Sequence, residues 1–193
     1  MSTPIFTLER HPDLQFVGTP GTNAASILVE EAGSDHNRQT VITFTNHVVS
    51  MTDATTSGSY GSLQIYSLPT AYAVARAVVV NMTAVPGAGG IGDTATLKYS
   101  IGTAAEATND TLDSTQASVL GSTNATAFVG GVGGGGAGGG ALTGVTTTAA
   151  VLDARTSAVN LFLNFGIADA GSTANDTVTL NGKLYLTWDL LGR

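Results

Sequence analysis

The sequence predicts an all-β protein, an antiparallel β-sandwich or jelly roll of about eight strands with an extended N-terminal arm. Three observations carry that prediction. Apolar residues recur with period 2 from Gln39 onward. No segment sustains the 3.6-residue period of a helix. Connections rich in Gly, Thr, Ser and Asp separate the apolar runs, as turns between strands require.

Residues 1–38 differ from the rest and are assigned to an arm or edge element. Polar and charged side chains gather in Leu8–Leu14 and Glu30–Arg38, and Gly18-Thr19-Pro20-Gly21 is a turn signal. Ile27–Glu31 could form a short strand. Residues 39–193 are then the sandwich domain, and deletion of 1–38 is expected to leave that domain folded while weakening attachment to a partner.

Within the domain, Val41–Val49 and Ser62–Leu68 are β-branched and aromatic runs. Residues 71–85 are apolar at both parities, with Tyr72, Val74, Val78, Val80 and Met82 on one side and the alanines with Val79 on the other. That pattern predicts a strand covered on both faces. Thr94–Ile101 alternates cleanly, with Ala95, Leu97, Tyr99 and Ile101 inward. Residues 159–167 repeat the device, with Val159, Leu161, Leu163, Phe165 and Ile167 inward and Asn160 and Asn164 outward.

The last run, Thr177–Leu191, contains Asn181-Gly182, ordinarily a hairpin signal. A turn there would split Val178, Leu180, Leu184, Leu186, Trp188 and Leu190, which share one parity straight through the glycine. One long strand with Gly182 at a bulge or close contact is therefore expected. A short helix is expected around Ala104–Ala107. The glycine-rich tract 130–140 reads as a loop, either mobile or ordered by a partner that its bare backbone approaches closely.

Composition narrows the function. Charged residues make up 11% of the chain against a usual share of about 25%, and the net charge is −7. Polar duty falls to Thr, Ser and Asn, or neighbours cover the surface. The seven basic residues are scattered, so no stripe exists to neutralise phosphates and nucleic acid is not an expected partner. There is no cysteine, which excludes disulfides and thiolate sites. Glu9 and Arg10 stand where a signal peptide would be apolar, and no run approaches the roughly 20 apolar residues of a membrane span. A protein made in the cytoplasm and not secreted, with no membrane partner, is the expectation.

Candidate chemistry is sparse. The glycine tract lacks the Lys-Ser/Thr of a phosphate loop. His11, His36 and His47 show no ligand spacing. Asp35-His36 and the abundant serines supply parts of a Ser-His-Asp site without a nucleophile elbow. Asn109–Asp113 and Asn175-Asp176 place oxygen ligands in loops, where Asx-turns are the simpler account. Glu9, Glu30, Glu31 and Glu106 suggest no carboxylate pair. No catalytic, cofactor-binding or metal residue is assigned, and the chain is not read as an enzyme. A sugar-binding jelly roll would need exposed aromatics, for which only Tyr60, Tyr66 and Tyr72 are available, because Trp188 and Phe162–Phe165 sit in core-like runs.

The string from Thr177 to Gly192, with its pattern T-x-x-G-x-x-x-x-x-W-x-x-L-G, resembles the closing strand of tailed-bacteriophage virion proteins. Ala158–Phe165, followed by a Ser/Thr/Asp loop, resembles its partner strand. The resemblance implies a capsid decoration or cement protein: a virion component, often a homotrimer, bound outside the shell to the major capsid protein. A head-fibre or tail component and a carbohydrate-binding jelly roll are the alternatives. Under this reading the contact residues are Phe6, Leu8, Leu14 and Phe16 of the arm and Gly134, Gly135 and Gly136 of the loop.

Overall fold

A computed structural model describes residues 19–22, 24–34, 36–87, 89–91, 95–124, 140–146, 150–168 and 172–191. Its strands are β1 (Thr19–Pro20), β2 (Ile27–Ser34), β3 (Asn37–Asp53), β4 (Ser59–Ser67), β5 (Tyr72–Pro86), β6 (Leu97–Gly102), β7 (Leu120–Asn124), β8 (Gly140–Thr146), β9 (Ala150–Asp153), β10 (Asn160–Ile167) and β11 (Asp176–Leu190). Among the described residues there is no α-helix. The helix expected at Ala104–Ala107 is absent, and one 3₁₀ turn forms instead at Ser114–Ala117.

All pairings are antiparallel, along the path β7-β6-β10-β4-β3-β11-β5-β8, with β1 added to β4, β2 to β3 and β9 to β5. The path curls over at β3. Thr52 and Asp53 pair with Tyr60 and Ser59 of β4, whereas the rest of β3 pairs with β2 and β11. Two layers result, one built on β4, β10, β6 and β7, the other on β2, β3, β11, β5, β8 and β9. Their inner faces share a single core. Tyr66 of the first layer meets Trp188 of the second edge-on, with centroids 6.1 Å apart. This is the antiparallel all-β class that the alternation predicts.

The parity argument holds strand by strand. Ala95, Leu97, Tyr99 and Ile101 are buried, as are Leu161, Leu163, Phe165 and Ile167. Each such Leu, Ile or Phe contributes about 1.5–3 kcal/mol relative to exposure. β11 is one unbroken strand with Val178, Leu180, Leu184, Leu186, Trp188 and Leu190 buried.

Two bulges explain what simple alternation misses. Opposite β11, Thr187 pairs with Ala77 and Trp188 with Ala75, so Arg76 is an extra residue in β5. The core face therefore switches from Ala71, Ala73 and Ala75 to Val78, Val80, Met82 and Ala84. β5 is thus not covered on both faces; its two apolar parities belong to one core face interrupted by a bulge. On β3, Leu180 pairs with His47 and Gly182 with Phe44, which places the extra residue at Thr45-Asn46. Asn46 takes positive φ (49°), a conformation that Asn tolerates, and its N–H donates to Asn181 Oδ1 at 2.8 Å.

Asn164 points away from the core but is fully buried, contrary to the expectation of an outward polar position. The connection after β6 covers it. Asn164 Oδ1 accepts from Ser62 Oγ and the N–H of Glu106, and Nδ2 donates to the carbonyls of Ala104 and Gln116. All four of its hydrogen-bonding positions are used. The position numbered 38 lies inside β3, and residues 27–34 form the edge strand of the second layer.

Candidate functional site

Among the described residues, one apolar surface feature is a corner of the second layer where β9, β5 and β11 meet. Cross-strand register puts Val151 opposite Val74 and Asp153 opposite Tyr72. Val151 is 58% exposed. The N–H of Leu191 donates to the Tyr72 carbonyl at 2.7 Å, bringing Leu191, 42% exposed, beside it. Three apolar or aromatic side chains from different strands therefore share one outward patch.

Two arginines frame that patch. The Arg155 guanidinium sits 5.3 Å from the Tyr72 ring centroid and donates to both carboxylate oxygens of Asp153, at 2.9 and 2.7 Å. The fork geometry and its hydrogen bonds hold the Asp153 carboxyl down at about 2. Arg76, released outward by the bulge, donates through Nε to Asp189 at 2.6 Å. Tyr and Arg held in place beside exposed aliphatics match the composition of protein–protein contact centres. The sequence shows these residues but not their meeting, since Tyr72, Val151 and Leu191 lie far apart in the chain.

A second surface feature lies on the same layer. Asn81, Thr83, Asn181, Gly182, Lys183 and Tyr185 line a shallow depression of about 390 Å³. Gly182 has φ +124°, and a Cβ there would stand 2.5 Å from the Asn81 carbonyl oxygen.

The residues singled out from sequence resolve differently. Phe6, Leu8, Leu14, Phe16, Gly134, Gly135 and Gly136 lie outside the described residues, as do His11 and Asp35. Asp176 Oδ2 accepts from the N–H groups of Gly89, Gly90 and Ile91, Asn175 Oδ1 accepts from Asp53 N–H, and Asn109 Oδ1 accepts from Thr111 N–H. Asp110 pairs with Lys98 at 2.6 Å. Asn109 makes an Asx-turn, whereas Asp176 and Asn175 tie their segment to the distant 89–91 loop and to the end of β3. Among the described residues no group of three or more His, Asp or Glu could hold a metal.

His47, read as an ordinary strand position, is buried, with Nδ1 2.8 Å from Ser26 Oγ and its ring beside Phe44. Burial pushes its pKa down. Among the described residues no carboxylate bonds the other ring nitrogen, so the pair fastens the segment before β2 to the sheet. Of the tyrosines weighed for sugar stacking, Tyr66 is fully buried and Tyr72 lies under Arg155.

Sequence reasoning missed a buried polar network. Glu31 and Arg38, side chains 2% and 3% exposed, pair at 3.5 Å across the β2–β3 hairpin. Tyr66 Oη donates to Glu31, and Trp188 Nε1 donates to Thr40 Oγ1 at 2.9 Å. The network ties the two layers together at one end. Only the hairpin register, which makes Glu31 and Arg38 diagonal neighbours, could have revealed it.

Compared with known proteins, the chain matches no family model, no curated protein and no solved structure. Fold and surface together define an antiparallel all-β sandwich module with an exposed apolar corner framed by two arginines. Among the described residues, no helix is long and apolar enough to cross a membrane.

Proposed function

We propose that this protein is a structural virion component, a capsid decoration or cement protein of the tailed-bacteriophage kind. It binds the major capsid protein from outside the shell and associates with copies of itself as a homotrimer. The observation that supports this reading is the exposed corner, where Arg155 sits over the Tyr72 ring beside the exposed Val151 and Leu191. Tyr and Arg beside aliphatic side chains are the residue types enriched at the centres of protein–protein contacts. Seating an aliphatic patch removes apolar surface from water. A module that binds only the assembled shell stabilises it by mass action, and that role calls on no catalytic group or cofactor. The phage assignment itself rests on the likeness of the closing strand.

Co-sedimentation with purified coat-protein shells of tailed phages tests the proposal. Saturable binding is expected, and Val151→Asp with Arg155→Ala should weaken it at least tenfold, about 1.4 kcal/mol or more, while leaving the melting temperature unchanged. Light scattering of the free protein should give three times 19.4 kDa. Protein that stays in the supernatant with every shell would sink the capsid reading.

A further inference from the structure

We propose that the depression around Gly182 is a saccharide site that takes a carboxylated hexose unit, independently of the contact corner and of the virion reading. The argument starts from polar groups left without protein partners. Of the cations among the described residues, Arg38, Arg76, Lys98 and Arg155 each pair with a carboxylate. Lys183 pairs with none and is exposed at the rim of the depression. The side chain of Asn81 and the hydroxyl of Tyr185 likewise bond no protein group. Three polar side chains without protein partners among the described residues converge here.

The bulge on β3 orders one wall of the depression. The extra residue at Thr45-Asn46 turns the Asn46 N–H toward Asn181, whose Oδ1 accepts it at 2.8 Å. That bond fixes which end of the Asn181 amide remains free, namely the Nδ2 donors. Thr83 Oγ1 bonds the Asn181 carbonyl at 3.5 Å, so the β5 and β11 sides of the wall are joined. Lys183 pairs with Asn81 and Tyr185 with Val79 in the β5–β11 register, which places ammonium, carboxamide and phenol in adjacent rows of one face.

The chemistry of that lining selects the ligand class. The depression is open to solvent, so a single sugar unit would lie against the sheet face and would not be enclosed. Two carboxamides and a hydroxyl suit the vicinal hydroxyls of a sugar, and the Tyr185 ring suits the apolar C–H face of a pyranose. The unpaired ammonium adds a preference for a carboxylate. An exposed pair of this kind is worth up to about fivefold in affinity.

Amide shifts of the 15N-labelled full chain, titrated with sodium glucuronate, glucose and acetate, decide the matter. Glucuronate should shift the amides of Asn81, Asn181, Gly182, Lys183 and Tyr185 saturably, with glucose about fivefold weaker and acetate without a saturable effect. Lys183→Ala, a change at an exposed position, should reduce glucuronate to the level of glucose, and Asn81→Ala should weaken both sugars. The site is overturned if glucuronate gives no saturable shift there, if acetate matches it, or if Lys183→Ala leaves the preference intact. Amides elsewhere in each variant report that the fold is unchanged.

Discussion

At the scale of single residues, the interior holds polar groups that bear differently on stability. The Tyr99 hydroxyl is buried without a hydrogen-bond partner, and burial pushes its pKa up. Asn164, equally buried, satisfies every donor and acceptor it has. His47 lies between these cases, with one ring nitrogen beside Ser26. Because burial lowers its pKa below the ordinary 6.5, the unfolded chain binds more protons than the folded one just below that value. Its contribution is therefore complete above about pH 6.5 and is lost as the pH falls toward the depressed folded value. Urea unfolding should show stability flat from pH 8 to 7 and falling between 6.5 and 5. His47→Gln should remove that slope, and a slope that survives would assign the effect to another group.

At the scale of elements, bulges decide which side chains each long strand presents. Gly182 shows the constraint most clearly, since its φ is +124° and a Cβ would meet both the Asn81 carbonyl oxygen at 2.5 Å and Met82 Cα at 2.7 Å. Both obstacles are backbone, so neither can rotate away. Gly182→Ala should lower stability by roughly 2–3 kcal/mol, seen as a melting temperature about 5–10 °C lower. An unchanged melting temperature would mean that β5 and β11 can separate at no cost, against the register observed here. The same glycine was visible in the sequence as an interruption of an otherwise uniform parity. What stayed hidden was that the extra residue sits on β3, because a bulge is a relation between two strands.

At the scale of the whole molecule, the edge strand β2 and Arg38 belong to the fold. Arg38 is buried against Glu31 and Trp188, with its Cζ 5.7 Å from the indole centroid. Removal of 1–38 takes away β2 and both members of the buried ion pair, leaving Tyr66 and Thr40 without their shared acceptor. A fall of at least about 10 °C is expected, corresponding to roughly 3 kcal/mol. A melting temperature unchanged by this truncation would show that the hairpin network adds nothing.

The sequence by itself determined the class of this protein and the inward face of most strands. Leu97–Ile101, Leu161–Ile167 and Val178–Leu190 follow because a pleated strand sends alternate side chains to opposite sides whatever its neighbours are. It also carried Gly182, since a missing side chain inside a regular run has few explanations. Tertiary structure alone decided the rest. The reversal of parity in β5, the burial of Asn164 under a loop, the Glu31–Arg38 network, the Tyr72–Arg155 corner and the isolation of Lys183 all depend on which residues distant in the chain become neighbours. Alternation is a local consequence of backbone geometry, whereas contact surfaces and unpaired charges arise from register between strands, which no single strand encodes.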